Sequence, residues 1–429
     1  MAFLSGASRE TGLVPLAAED DMIRAGNDAT RNEDRHNSAA GARDNTASGM
    51  AATPKLHRSV DPGLTSGPAP RDLGLPRTTG KGGADMAQEM RAAVLRKLRT
   101  PLRIEKLARP EPGPGQILIR VAACGVCHSD LHAVDGDWTP GPTLPLIPGH
   151  EVTGHVVALG SGVSGVKLGE AVGVPWMFSA CGACEYCLSG QETICRNGRS
   201  TGYSVPGGYA EFMVAPAAFV GRLPKNADLF TLAPILCAGV TTYRGLKRSQ
   251  VKPGQWVTVI GVGGLGHIAI QYAAAMGMRI AAVDVDDSKL RLARRLGAHV
   301  VANAAKGDPA PAIRKATGGT HGAIVTTAAP RAFEQAVGLL RRGGTCVYIG
   351  VPGGKKDEVR NSIAALVGAE LTLRGSNVGT RADLAEAIAF AANGLVTAKI
   401  ERQPLSRANR VLERMRKGQI LGRVVLDLR

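Results

Sequence analysis

Two cysteine patterns of opposite kind constrain this chain more than anything else in it. Cys127, His150 and Cys237 are spread over 111 positions, whereas Cys181, Cys184, Cys187 and Cys195 occupy fifteen. Four thiolates saturate a tetrahedral zinc, so such a site holds a lobe in shape. Three protein ligands leave one position for water or substrate. The spacing Cys-x2-Cys-x2-Cys-x7-Cys suits four soft donors around zinc. An iron–sulfur cluster also accepts four cysteines, but nothing else here resembles an electron-transfer ferredoxin. The open set is the weaker signal alone, because Cys237 in PILCAGVTTY also reads as simple core.

A glycine loop follows. Gly261-Val262-Gly263-Gly264-Leu265-Gly266 fits GxGxxG between the buried strand 256–261 and the apolar helix 265–276. The first glycine permits a tight turn, the second lets a pyrophosphate approach the backbone, and the third allows the helix to pack closely. Asp284 ends the next strand (279–285), 23 residues after Gly261, where a carboxylate accepts from an adenosine ribose and repels a 2′-phosphate. NAD is therefore expected rather than NADP. Lys289, one turn on, reads equally as a ribose contact or a solvated helix lysine. Together, the open metal set and the loop imply metal-assisted hydride transfer.

The residues around these motifs read as two domains. Short β-rich runs over 117–122 and 152–159, punctuated by Gly and Pro, form an irregular β region up to about Val214. From Gly239 strands and helices alternate: a helix over 288–296, a strand over 322–328, a helix over 331–340, a strand over 345–351, and the runs 363–367 and 370–376. That order predicts a doubly wound parallel sheet. A helix near 381–392 and the last strand GRVVLDL are expected to return to the first domain. Cys124 and Cys346 read as buried small residues, and His155 as an ordinary strand residue.

Residues 1–85 are of a different texture. They contain one aromatic, Phe3, and cannot bury enough apolar surface to offset their ordering entropy. They hold 10 basic and 11 acidic residues, so the remainder carries an excess of +17. No run of five basic residues occurs, which favours solvated faces and a cofactor field over nucleic-acid binding. No apolar stretch reaches the roughly 18 residues of a membrane span, and the first twenty residues lack the pattern of a targeting peptide. A cytoplasmic, reducing location follows, where clustered cysteines act as metal ligands rather than disulfides.

The strings Gly125-Val126-Cys127-His128-Ser129-Asp130-Leu131-His132, Gly149-His150-Glu151 and Cys237-Ala238-Gly239, with both cysteine sets, resemble the zinc-dependent alcohol dehydrogenases of the medium-chain dehydrogenase/reductase family, notably the microbial ethanol-type branch. The resemblance covers 86–429. It implies an α/β fold: a disordered extension over 1–85, a GroES-like irregular β catalytic domain over 86–240 with 378–429 returning to it, and a Rossmann domain over 241–377. It implies two zinc ions per chain. One, catalytic, is bound by Cys127, His150 and Cys237 with Glu151 beside them; the other, structural, is bound by the four clustered cysteines. Asp130 would orient His150, Ser129 take the alcohol proton, and His132 pass it to solvent. His128 and Arg381 resemble pyrophosphate contacts, and Thr241 a nicotinamide neighbour. Trp138 and Trp176 resemble pocket walls that admit only short primary alcohols, although either indole also reads as core.

The function implied is reversible, NAD-linked oxidation of short primary alcohols to aldehydes by a homotetramer, with no nucleic-acid or membrane partner. Three alternatives stay open on sequence alone: an NADP-linked zinc reductase of larger or aryl aldehydes, a nucleic-acid-binding zinc protein, and a zinc-less quinone reductase. For residues 1–85 there are two readings, a disordered tail or a natural start at Met86 or Met90.

Overall fold

The computed structural model describes residues 88–354 and 358–429; the expected disordered extension over 1–85 lies outside them. Trp256–Ile260 is buried at every position, as a strand covered on both faces must be. It lies inside a six-stranded parallel sheet in the order Val300–Asn303, Arg279–Asp284, Trp256–Ile260, Thr320–Val325, Leu340–Tyr348, Thr372–Gly375. Numbered along the chain, this is the order 3-2-1-4-5-6 of the doubly wound nucleotide fold. The chain order reverses between Trp256–Ile260 and Thr320–Val325, and a crevice opens at the carboxyl ends of these strands.

Between residues 286 and 375, two elements had no counterpart among those expected from the sequence. Val300–Asn303 is an edge strand, half-buried at all four positions, so it offers neither alternation nor an apolar run. The helix Ala310–Thr317 opens beside Pro309 and contains Pro311, both tolerated at a helix start, where the missing N–H has no partner to lose. The helix expected over 288–296 runs Asp287–Arg295, because the Asp286 side chain caps it by accepting from the Ser288 amide at 2.7 Å. The run at 363–367 is a helix, Ile363–Gly368.

A seven-stranded sheet runs Ile400–Pro404, Arg423–Asp427, Gln116–Val126, Glu151–Leu159, Ala171–Val174, Gly221–Arg222, with Phe212–Pro216 also paired to Gln116–Val126, and two two-stranded sheets complete the described strands. The last strand returns to the seven-stranded sheet: Arg423–Asp427 lies antiparallel to Gln116–Val126, with Val424 opposite Val126. The helix Arg381–Ala392 packs on Ala238–Arg248, and one core joins Leu384, Ala387 and Ile388 to Val240, Leu246, Val257 and Val259. Cys124 and Cys346 are fully buried, and His155 is an exposed strand residue, all as expected. No single described helix is long and apolar enough to cross a membrane.

Candidate active site and metal centres

Sheet register assembles the open metal set. Gln116–Val126 delivers Cys127 at its end; Glu151 begins the neighbouring strand opposite Gly125, and Arg423 begins the strand on the other side. A Cβ on residue 125 would stand 1.8 Å from Glu151 Oε2, so only glycine leaves that carboxylate room. Cys237 comes from the break between the 3-10 turn Ala233–Leu236 and the helix Ala238–Arg248. The ligand atoms of Cys127, His150, Glu151 and Cys237 all lie within 4.8 Å of one another, and all four residues are buried. The two Sγ atoms are 4.0 Å apart; thiolates about 2.3 Å from one tetrahedral ion stand roughly 3.8 Å apart.

Polar bookkeeping supports the fit. His150 Nδ1 meets Asp130 Oδ1 at 3.0 Å, while its Nε2 is buried without a partner; Glu151 Oε2 is likewise orphaned. Buried polar atoms normally find partners, so two facing orphans beside two thiols mark a place for a cation. Asp130, 1% exposed, is saturated: Oδ1 also accepts from the Gly149 amide at 3.1 Å, and Oδ2 accepts from the Cys127 amide at 2.9 Å and the Tyr209 hydroxyl at 3.0 Å. This carboxylate therefore fixes two ligands at once. The Cys237 thiol and His150 hold the Cys127 thiol well below its ordinary range, so one of the pair ionises readily. Burial pushes the Glu151 carboxyl up to about 7, against the pull of the Arg423 guanidinium bonded to it.

Beside the thiols, Ser129 Oγ lies 3.8 Å from Cys127 Sγ. His132 is 7% exposed; its Nδ1 is held by Asp137 Oδ2 at 2.7 Å, leaving Nε2 without a protein partner. Trp138 stacks at 4.9 Å from the His132 ring, and Trp176 sits edge-on at 4.8 Å from His150. Both indoles contact Tyr203 at 5.8 Å, making an aromatic wall against the metal set rather than remote core. Thr241 Oγ1 and Trp138 Nε1 are also buried orphans. His128 is exposed at the first turn of the helix His128–Asp135.

The glycine loop adopts the expected form. Gly261 has φ +91°, its amide bonds Val283 O at 2.7 Å, and a Cβ on residue 266 would lie 1.8 Å from Gly261 O. Gly263 faces open space, with nothing within 4 Å of an added Cβ, which is where a pyrophosphate would sit. Leu265 precedes the helix Gly266–Ala275. Asp284 closes the loop from below: Oδ2 accepts from the Val262 amide at 2.6 Å, and Oδ1 accepts from Val285 and Asp286. Lys289 Nζ stands 3.9 Å from Asp284 rather than in free solvent.

Arg381 does not match its expected place. Its amide and guanidinium are engaged by Glu192, at 2.7 and 2.9 Å, and it stacks over Phe219. The guanidinium against the glycine loop is Arg423, 4% exposed, whose Nη1 lies 2.9 Å from where a Cβ on Gly264 would be. Arg423 also bonds Glu151, so one cation bridges the loop and the metal set. The sequence reading missed it, along with Tyr209, Asp137 and Tyr203. Its one signal was a charge opening an otherwise apolar strand.

The closed set lies in the lobe 181–195. Its four sulfurs fall within 4.8 Å of one another, with Cys181–Cys187 at 3.9 Å and Cys184–Cys195 at 3.8 Å. Amides of Ala183 and Cys184 lower the Cys181 thiol to about 6, which favours the ligating thiolate.

Comparison with known proteins agrees with this geometry. The family model described as alcohol dehydrogenase GroES-like domain matches residues 113–225, and that described as zinc-binding dehydrogenase matches residues 264–393. An alcohol dehydrogenase of Moraxella sp. (strain TAE123) is 51% identical over 338 residues, covering 79% of this chain and 99% of its own. The chain belongs to the zinc-dependent alcohol dehydrogenases of the medium-chain family. An alcohol dehydrogenase of Geobacillus stearothermophilus is 50% identical over 339 residues, covering 79% of this chain and all of its own. The crystal structure of an Aeropyrum pernix alcohol dehydrogenase superposes with a TM-score of 0.73 at 35% identity, covering 79% and 99% of the two chains. The chain is thus an alcohol dehydrogenase acting on small molecules.

Proposed function

We propose that the enzyme interconverts short primary alcohols and aldehydes with NAD, using two zinc ions per chain. Asp284 carries the cofactor assignment. Its carboxylate, at the end of the strand after the glycine loop, accepts from three amides that fix its position, and would repel a 2′-phosphate. Lys289 is drawn to Asp284 at 3.9 Å, so its charge is partly answered by that carboxylate. The Trp138, Trp176 and Tyr203 rings favour small substrates, because aromatic bulk beside the reacting atom removes the volume that branched or aryl groups need.

Cys127, His150 and Cys237 would hold the catalytic zinc, which when bound supplies a Lewis acid for the alcohol or carbonyl oxygen. Glu151 stands beside it as a further oxygen donor. Ser129 would take the alcohol proton, and His132, whose buried Nε2 is left free by the Asp137 contact at Nδ1, would receive it by way of the nicotinamide ribose and pass it on to solvent. Thr241 would border the nicotinamide, and His128 and Arg423 would contact the pyrophosphate. Cys181, Cys184, Cys187 and Cys195 would hold the structural ion.

A homotetramer accompanies this reading. Thr372–Gly375 is the outer strand of the parallel sheet, and Ile363 and Val367 are 78% and 72% exposed on the preceding helix, apolar surface suited to a second copy. Eight free cysteines favour a reducing, cytoplasmic setting. The test joins metal analysis and native mass with steady-state kinetics, using both cofactors over alcohols from ethanol to hexanol and benzyl alcohol. Two zinc ions, a tetramer, and NAD-linked turnover falling with chain length are expected. Preference for NADP or for aryl alcohols would refute the reading. Cys127→Ser should abolish turnover with the fold retained.

A further inference from the structure

We propose that the catalytic domain carries a second binding site, for a small polyphosphate anion, separate from the cofactor crevice. A cavity of about 500 Å³ opens between the strands Gln116–Val126 and Glu151–Leu159 and the segment 225–230. That volume is of ligand-binding size. Four fixed cations line it, Arg120, Lys225, Arg402 and Arg429, against one carboxylate, Asp228. No residue of either metal set or of the glycine loop lines it.

The walls are held in place. Phe230, 4% exposed, anchors two of the cations: the Arg402 guanidinium lies 3.9 Å from the ring centroid and that of Arg429 4.5 Å. Stacking fixes each guanidinium plane, with one edge of Arg429 taken by Asp427 and Arg402 Nη2 turned to Asp228. Asp228 meets Arg402 only at 3.4 Å, and Asp427 holds Arg429 at 3.1 Å. Arg120 and Lys225 have no ion pair among the described residues, and His155 stands at the same wall with Nδ1 3.4 Å from Gly169 O.

Like charges around one cavity repel, and their excess is relieved when an anion enters. Asp228 answers Arg402 and Asp427 answers Arg429, which leaves Arg120 and Lys225 unpaired on two different walls, the strand Gln116–Val126 and the segment 225–230; a chain of phosphates gives Arg120 a bidentate partner and Lys225 a point contact at once. The ligand class is therefore a compact anion with two or more phosphates, free or as part of a nucleotide.

The experiment is calorimetric titration of the full-length zinc enzyme saturated with NADH, so that the glycine loop is occupied. Tripolyphosphate, orthophosphate and ATP are titrated in parallel at two salt concentrations. Tripolyphosphate should bind more tightly than orthophosphate, and Arg120→Gln/Lys225→Gln should weaken it about tenfold or more. Arg291→Gln/Arg294→Gln, on an exposed helix, should leave it unchanged. ATP binding as tightly as tripolyphosphate assigns the site to nucleotides, and weaker binding assigns it to free polyphosphates. Absence of binding, equal loss in both double variants, or no advantage over orthophosphate overturns the proposal. Circular dichroism and alcohol turnover of the first variant, which touches no active-site residue, verify that it folds.

Discussion

Asp130→Asn tests whether one buried carboxylate organises the open metal set. Four donors converge on Asp130: the amides of Cys127 and Gly149, the Tyr209 hydroxyl and His150 Nδ1. Asparagine is nearly isosteric but replaces one acceptor oxygen with an NH2, which two of those donors must then face. If it faces Cys127 and Tyr209, the hydroxyl can turn and accept, but the Cys127 amide loses its partner, at about 1–3 kcal/mol. If it faces Gly149 and His150, the imidazole must accept at Nδ1 and so carry its proton on Nε2, the atom required for ligation. Either orientation damages the site without emptying it. Zinc affinity measured by chelator competition should fall about 10–100-fold, equivalent to roughly 1.4–2.7 kcal/mol. Turnover should fall with metal occupancy, and the urea midpoint of the metal-stripped variant should drop by an amount worth about 1–3 kcal/mol. Wild-type zinc affinity and stability in this variant would refute the role assigned to Asp130.

Three further outcomes follow from the same geometry. His267, 1% exposed, donates from Nδ1 to Gly263 O at 2.9 Å and accepts at Nε2 from the Lys399 amide, and burial lowers its pKa to about 4. The native state resists a proton that the unfolded chain takes up near 6.5, so stability is intact above that pH and declines towards pH 4, by up to about 3 kcal/mol. Acid-denaturation curves of His267→Gln should lose this slope; a slope equal to the wild type's would assign it elsewhere. Gly266→Ala forces a Cβ to within 1.8 Å of Gly261 O; cofactor affinity by fluorescence titration should fall at least about tenfold while both zinc ions remain, and unchanged affinity would contradict the loop's assignment. Removing residues 1–85 should leave kcat and KM unchanged, since every residue placed at the site lies beyond them; a large loss of turnover would show otherwise.

Much of the site was legible because its signals are local. Metal-ligand spacing, a glycine turn between strand and helix, and a carboxylate at the next strand end are short-range patterns that physical chemistry restricts tightly. Asp130 and His150 are 20 residues apart but belong to strings that each carry a signature. Arg423, Tyr209 and Tyr203 were not legible, because nothing adjacent to them in the chain says that they meet the site. Arg381 illustrates the converse. A basic residue at a plausible place was assigned to the cofactor, yet Glu192, 189 positions earlier, takes it.

The amino-acid sequence determined the chemistry: which donors are present, that one set is closed and the other open, and that a dinucleotide loop follows. Tertiary structure decided which side chains stand among them. One strand ends where its two antiparallel neighbours begin, so Cys127, Glu151 and Arg423 become neighbours although nearly 300 residues separate the first and last. Register and burial together make that choice, since a guanidinium 4% exposed must find a carboxylate, and the sheet presents Glu151.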